Sequence, residues 1–512
     1  MKTIRVLFSV LAVLFVMTVA VGVGDCKTKA AEGTPISTAE EFLAMENNPS
    51  GNYYLTADIT LPENTNMFTD GTPFSGTFDG NGHKIKGYTF IACGFYRAAI
   101  FSYARNATFK NITITNVNIN IDTGDSVCWA APLVAESLDC SFYNISTSGN
   151  IVITGDADQG DYIIGGICAM GASAKVMENC SSSVNISADV ANYWNGIRIG
   201  GLASDGTFSK VNKCTYIGNI NLKAAVGSDI VVFGIVSMAY KITNCKNSGN
   251  ITANIGEPQL KGSRDLIFCG ITTEGQTITK CENKGKITVK CDFAIGTASI
   301  AGVVGETCVV PEYYYKGPKR IAKCSNKGAI TYVGGAGGID TLIGGVVASS
   351  GKTIECYNKG KIYVKAGGHS TRVGGVCGET FGMKNCYNAG AVTQKGDGVT
   401  GGLAGSASLV GDKATCCYNV GKISGPTKAN VGALFGIYDG ADVVRKRNIY
   451  DNYYIGNVKK PYGTTGISWK EWVAKDTKVS AITTGSCPKL SSKKWVYSKK
   501  YKRLILKGNK EK

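Results

Sequence analysis

The feature that most constrains this chain is a short phrase that returns nine times. Cys140, Cys180, Cys214, Cys245, Cys281, Cys324, Cys356, Cys386 and Cys417 open it, and the clearest copies read CKNSGNI, CENKGKI, CSNKGAI, CYNKGKI, CYNAGAV and CYNVGKI. The starts recur about every 35 residues, a period that belongs to solenoids and related arrays. A second phrase, usually Gly-Gly followed by an aliphatic residue, keeps step with the first. It stands at Gly165-Gly166-Ile167, Gly200-Gly201-Leu202, Gly344-Gly345-Val346, Gly374-Gly375-Val376 and Gly401-Gly402-Leu403, with one-glycine copies between them. Two signals held in one register define an internal repeat over most of the chain.

Each period carries short apolar runs separated by Gly, Asn, Lys or Ser. In the period that starts at Ile343 the runs are 343–348, 353–357 and 361–365. Alternation such as Ile362-Tyr363-Val364, with enrichment in Val, Ile, Thr and Tyr, is a strand signal. No run in the array has the length or the 3.6-residue period of a stable helix. The leucine scaffold of a leucine-rich repeat is missing, and the period falls short of the about 40 to 45 residues of a propeller blade. Three short strands per period suit a triangular coil. The spacing therefore predicts an all-β chain folded as a parallel β-helix, one coil per repeat and about ten coils in all.

The repeated residues then acquire structural roles. Asn283, Asn326, Asn358, Asn388 and Asn419 fall two residues after the repeat cysteine, with glycine two further on. Asn tolerates left-handed backbone and Gly supplies it freely, so Asn-x-Gly reads as a turn between two strands. Stacked coils would set these amides above one another, where they can bond along the ladder. Cys245, Cys281, Cys324, Cys356, Cys386 and Cys417 read as small apolar residues pointing inward. A single file of cysteines lacks the convergent ligands that a metal or redox site needs, and no C-x-x-C occurs, so neither metal nor cofactor is expected. Side chains leaving adjacent rungs in one direction also make poor disulfide partners.

At the amino terminus Lys2 and Arg5 precede an uncharged run from Val6 to Gly24, with small residues near its end. This is the layout of a secretory signal peptide over 1–24, with an uncleaved anchor as the alternative because the run is long. Asp25 stands before Cys26, where a lipid-attachment site takes a small residue. The expected location is secreted or at the cell surface. His83 and His369 are the only histidines, which excludes an HExxH zinc site and any multi-histidine metal cage. No G-x-S-x-G stands in a strand–turn–helix setting.

The pairing of G-G-[ILV] with a following N/K-C-Y-N-x-G-x-[IV] resembles the GLUG-motif repeat of bacterial secreted and surface proteins. The residues before the array fit the resemblance. Ile36-Ser37-Thr38-Ala39-Glu40-Glu41-Phe42 is similar to the short capped helix that opens such proteins, with a capping box from Ser37 and Glu40 or from Thr38 and Glu41. Asn52–Ile59 and Phe74–Ile85 resemble the family's first strands and turn. The resemblance covers about 36–460. It departs from the pattern at Ala130-Ala131, in place of the first glycine pair, and at Asn452, in place of the last cysteine. It implies a right-handed, pectin-lyase-like parallel β-helix in an adhesin-like setting, with no common catalytic residues. The organisation expected is a signal peptide at 1–24, an amino-terminal cap and first strands at 32–95, the repeat β-helix at 96–460, and a strand-like carboxy-terminal cap with a basic tail at 461–512.

Binding residues are expected where the array is interrupted. The longest interval between repeat cysteines holds Tyr313, Tyr314 and Tyr315, followed by Lys319 and Arg320. Three aromatics beside cations could stack on sugar rings and hold anionic groups. Tyr193 and Trp194 form a second candidate. In each case the alternative is a loop folded back over its coil. The chain carries +17 overall, and residues 488–512 supply ten of its Lys and Arg against one acid. Within them Lys493, Lys494, Lys499, Lys500, Lys502 and Arg503 flank strand-like alternation. This tail reads either as a cap with a solvated basic face or as an anchor to anionic polymer. Nucleic acid fits poorly without a recognition helix or stacking platform, and a monomer is expected. The function expected is non-enzymatic adhesion to polysaccharide, host or envelope material, by avidity along a rigid rod. A polysaccharide lyase or glycoside hydrolase of the parallel β-helix type is one alternative, since acids on neighbouring coils can meet without a local motif. A structural surface spacer is the other.

Overall fold

Alternation decides which side of each strand is buried. In Ile287–Cys291 the side chains of Ile287, Val289 and Cys291 are buried while Lys290 is exposed. The following coil lays Ile330–Gly334 on this strand in parallel, with Ile330 on Ile287 and Tyr332 on Val289. Apolar side chains thus stack on apolar side chains along the axis and form one continuous core. Repeated, this gives an all-β parallel solenoid of about ten turns with one short α-helix near the amino terminus. The computed structural model describes residues 32–69, 71–94, 97–124, 127–157, 161–192, 196–226, 228–256, 265–291, 296–306, 320–334, 340–366, 370–409, 412–427, 430–438, 449–465 and 476–508. The apolar run expected to be a signal peptide lies outside these residues.

One coil shows the course of the rest. Asp340–Gly344 belongs to a first sheet, Val347–Ser350 and Thr353–Ile354 to a second, and Tyr357–Asn358 and Ile362–Ala366 to a third. Where the sequence predicts three runs, the coil has five shorter strands on three sides. The run at 343–348 is broken by a corner at Gly345-Val346, and the run at 353–357 by one at Glu355.

That second corner corrects the expected turn chemistry. Asp139, Asn179, Lys213, Asn244, Lys280, Lys323, Glu355, Asn385, Cys416 and Asp451 each precede a repeat cysteine or its counterpart, and all hold φ between 54 and 58°. The left-handed residue of each coil therefore lies three positions before the repeat asparagine, not within Asn-x-Gly. A β-carbon makes that conformation cost about 1–2 kcal/mol. An inter-coil bond from the corner N–H offsets part of it, as from Lys323 to the Ile354 carbonyl at 2.9 Å.

At the amino-terminal end the helix Ala39–Leu43 starts from Thr38, whose hydroxyl accepts from the Glu41 N–H while the Glu41 carboxylate accepts from the Thr38 N–H. Of the two possible capping boxes, Thr38 with Glu41 is the one formed. The helix lays the buried Phe42 onto Phe78 and Phe101, with ring centres 5.3 and 6.0 Å apart. At the other end Thr477–Lys478 adds a strand to Tyr453–Tyr454 on the last coil. The chain then forms an antiparallel hairpin of Trp495–Ser498 with Arg503–Leu506, the one antiparallel pair among the described residues.

Candidate functional site

The outer surface is positioned by two ladders inside. Asn247, Asn283, Asn326, Asn358, Asn388 and Asn419 are buried, and each Nδ2 donates to the Oδ1 of the next at 2.8–2.9 Å. The same Nδ2 donates to the carbonyl of the glycine two residues on, as from Asn358 to Gly360 at 2.9 Å. The Gly360 N–H returns a bond to Asn358 Oδ1 at 3.1 Å. The side chain thus closes the bend itself, as an Asx-turn. The repeat cysteines form the second ladder. Cys356 Sγ accepts from the Cys324 N–H at 3.4 Å, Cys386 Sγ from the Cys356 N–H at 3.4 Å and Cys417 Sγ from the Cys386 N–H at 3.3 Å. Each thiol also donates to the carbonyl two residues earlier, as from Cys356 to Ile354 at 3.3 Å. These cysteines are core residues with a polar task that an alanine side chain could not perform. Seventeen cysteines among the described residues, Cys245 and Cys281 included, are free thiols.

The residue after each ladder cysteine forms an outward column: Thr215, Lys246, Glu282, Ser325, Tyr357, Tyr387, Tyr418 and Tyr453 stack in register. Tyr357, Tyr387 and Tyr418 lie face to face, with centres 5.0 and 4.9 Å apart. The carboxy-terminal hairpin lies on this aromatic strip. Trp495 is buried with its ring 5.4 Å from Tyr418 and 5.9 Å from Tyr387, and Tyr418 Oη donates to the Leu504 carbonyl at 2.5 Å. Lys494 pairs with Glu355 at 2.6 Å, and the Lys359 ammonium sits 4.0 Å from the Tyr501 ring centre.

The tail is therefore a lateral brace as well as an end strand. Of its basic residues, Lys494 and Arg503 hold the brace, Arg503 lying over the Tyr501 and Tyr387 rings at 5.0 and 5.7 Å. Lys493, Lys499, Lys500 and Lys502 are exposed.

Where the hairpin stops, a groove of about 740 Å³ continues along the column. Lys213, Lys246, Lys280, Lys323 and Lys507 line it, together with Thr215, Asn244, Ser325, Tyr357 and the single carboxylate Glu282. That carboxylate is engaged by Lys327 and lies 3.8 Å from Lys284. Of the five groove lysines, Lys323 is the one that comes within 4.0 Å of an acid, Glu355, among the described residues. The arrangement can hold negative charge along its length. Sequence reasoning missed these lysines. For Lys213, Lys246, Lys280 and Lys323 the signal was present, since they flank a repeat cysteine on one side or the other, but the left-handed corner was needed to see that they point out.

Tyr313, Tyr314, Tyr315, Lys319, Tyr193 and Trp194 lie outside the described residues, as does His369. Arg320 opens the strand Arg320–Ala322, is exposed, and sits in register with Thr277 of the preceding coil. It lies in the second sheet, three residues before the corner Lys323. Glu274 and Glu306 are register partners on that sheet, with Ser299 donating to Glu306 at 2.8 Å. No group of three His, Cys, Asp or Glu side chains that could hold a metal ion occurs among the described residues.

At the end of the array Asn452 takes the place of the ladder cysteine. Its Oδ1 accepts from the Cys417 N–H at 2.9 Å, and its N–H and Nδ2 donate to Asp476 at 3.0 and 3.2 Å. Burial pushes the Asp476 carboxyl up to about 6, against the opposing effect of its bonds from Tyr462 and Asn452.

No curated protein matches the chain. Residues 34–129 match a family model described as a pectate lyase-like adhesive domain. That segment runs from the first strand and its capped helix into the strand Cys128–Ala130, and the cysteine repeat begins beyond it at Cys140. Over its first coils the chain is thus similar to an adhesive domain on a lyase-like solenoid.

Proposed function

We propose that the chain is a non-enzymatic, secreted or cell-surface β-solenoid of the GLUG-repeat type that binds glycan, host or envelope material through a lateral face. The observation that carries this reading is the stacking of one sign of charge over successive coils. On the third sheet Lys290, Lys365 and Lys395 occupy one outward column, interrupted by Val333, while Lys223 two coils before Lys290 pairs with its register partner Asp189 at 3.0 Å. Lys286, Lys361 and Lys422 stand exposed at the bends that lead into the same face. Parallel coils repeat every ~4.8 Å, so one weak contact per coil sums over a long ligand. The adhesive family model over 34–129 supports the setting.

The test offers the purified protein immobilised acidic polysaccharides, neutral polysaccharides and host glycoproteins, following retention and chain ends together. Retention without new chain ends supports the reading. New reducing ends or unsaturated sugars would replace it with an enzyme, and loss of that cleavage in Glu306→Gln would then place the chemistry at Glu274 and Glu306.

A further inference from the structure

We infer that the groove beside the carboxy-terminal hairpin seats one linear polyanion, its chain running parallel to the solenoid axis. The inference rests on the binding reading above and names a site and a ligand class for it. Lys213, Lys246, Lys280 and Lys323 come from four successive coils, and Lys507 enters from the hairpin beside Tyr357 of the fifth. That gives one ammonium per coil, or one every ~4.8 Å along the axis.

The column supplying three of them is the left-handed corner, where Asn244 fills the position between Lys213 and Lys280. Lys246 compensates from the neighbouring column on that same coil. The row of charge is therefore unbroken although neither column alone provides it. Thr215, Asn244 and Ser325 add neutral hydrogen-bonding groups between the cations.

The open third-sheet face also carries lysines, but the groove differs from it in two ways. Its walls are the Tyr357 ring and the end of the hairpin, and low-dielectric walls around like charges focus the field that an anionic chain meets. Its one acid is already neutralised by Lys327 and Lys284, so five cations face the opening against no uncompensated carboxylate among the lining residues. A chain that bears carboxylate, sulfate or phosphate at regular intervals matches this row. A single small anion would meet one or two of its lysines.

The test compares two variants of equal charge loss. The groove variant carries Lys213→Asn, Lys246→Gln, Lys280→Asn and Lys323→Asn. Asparagine is chosen at the corners because Asn244 and Asn385 already hold that backbone. The control carries Lys175→Gln, Lys241→Gln, Lys352→Gln and Lys384→Gln, four exposed lysines in or beside the second sheet that belong to neither the groove nor the third-sheet column. Affinity is measured for polygalacturonate, heparin and long-chain polyphosphate, with dextran as the uncharged polymer. Unchanged thermal transitions establish that both variants fold, and Lys507→Gln alone serves as a milder groove probe if the quadruple variant does not.

The groove variant is expected to lose about tenfold or more in affinity for the preferred polyanion, with a shallower salt dependence, while the control changes less than about threefold. The polymer held most tightly assigns carboxylate, sulfate or phosphate. Equal losses in the two variants, or a larger loss in the control, would overturn the groove and leave the binding reading standing. So would a wild-type protein retained by neutral glycans or glycoproteins and by none of the polyanions. A wild-type protein that binds none of the materials would sink both.

Discussion

Gly375 and Asn388 meet across the interior of the solenoid. A methyl group placed on Gly375 would sit 2.4 Å from the Asn388 amide carbon and 2.2 Å from the Gly402 carbonyl oxygen. The glycine pair and the cysteine–asparagine phrase keep one register in the sequence because they touch in the structure. The same approach recurs at Gly345 with Asn358 and at Gly402 with Asn419. Gly375→Ala is expected to destabilise the array by about 1–3 kcal/mol, the range for overpacking a close-packed interior. Adding Asn388→Ala should not rescue it, because the carbonyl clash remains and the Gly390 carbonyl loses its bond from Asn388. Urea unfolding measures both, and a Gly375→Ala protein as stable as wild type would refute the contact.

Asp476 makes the last coil sensitive to pH. With its native carboxyl raised to about 6 and an unfolded value of about 3.9, the folded chain holds a proton that the unfolded chain has released. The contribution of this carboxyl to stability is then greatest below about pH 4, falls as pH rises from about 4 to 6, and levels off above. The fall should be on the order of 1–3 kcal/mol, toward the lower end because Asp476 keeps part of its surface in water. Asp476→Asn should flatten this segment of the pH–stability curve, which denaturant titrations at pH 4, 5, 6 and 7 would show. A variant curve that kept the wild-type slope would assign the effect elsewhere.

Trp495 pins the hairpin to the tyrosine strip, so its loss should release the brace and spare the coils. Trp495→Ala removes a fully buried ring, a change that costs about 3–5 kcal/mol at the site. Trypsin should then cut between Lys489 and Lys507 at low dose, leaving a resistant solenoid fragment. If the fragment itself melted at once, the hairpin would be part of the core and not a brace upon it.

The thiols give a map of burial. Cys93 is exposed, whereas burial pushes Cys128 up to about 12 and Cys140 up to about 11. Iodoacetamide at pH 8 should modify Cys93 quickly and should reach Cys214, Cys281, Cys356 and Cys386 only with global unfolding, because alkylation needs an accessible thiolate. Peptide mass spectrometry reads each site separately. Native-state labelling of the ladder at the rate of Cys93 would mean that the coils open singly.

What the sequence announced was what the repeat repeats. The stacked coils, the inward cysteines and the asparagine ladder each have a fixed residue type at a fixed spacing. The Thr38–Glu41 cap was legible for the same reason, since its chemistry is local. The left-handed corner was not, because Lys, Glu, Asn, Asp and Cys all occupy it and no residue type marks it. The hairpin's seat was hidden by distance: Tyr418 and Leu504 bond across 86 residues, with no pattern in either segment naming the other. The groove needed both pieces, the corner to turn Lys213, Lys280 and Lys323 outward and the hairpin to build a wall beside them.

The corner column has one more consequence. Its backbone is the same in every coil, while its side chains run from Asp139 through Lys280 and Glu355 to Cys416. The inner ladders demand a fixed alphabet, and the corner is buried at Glu355 and Asn385, but at Lys213, Asn244, Lys280 and Lys323 it holds a residue that contacts solvent and leaves the frame unchanged. Substitution there edits a single rung of surface charge without disturbing its neighbours. A lineage of such chains could therefore redraw its outer charge one letter at a time on an unchanged frame.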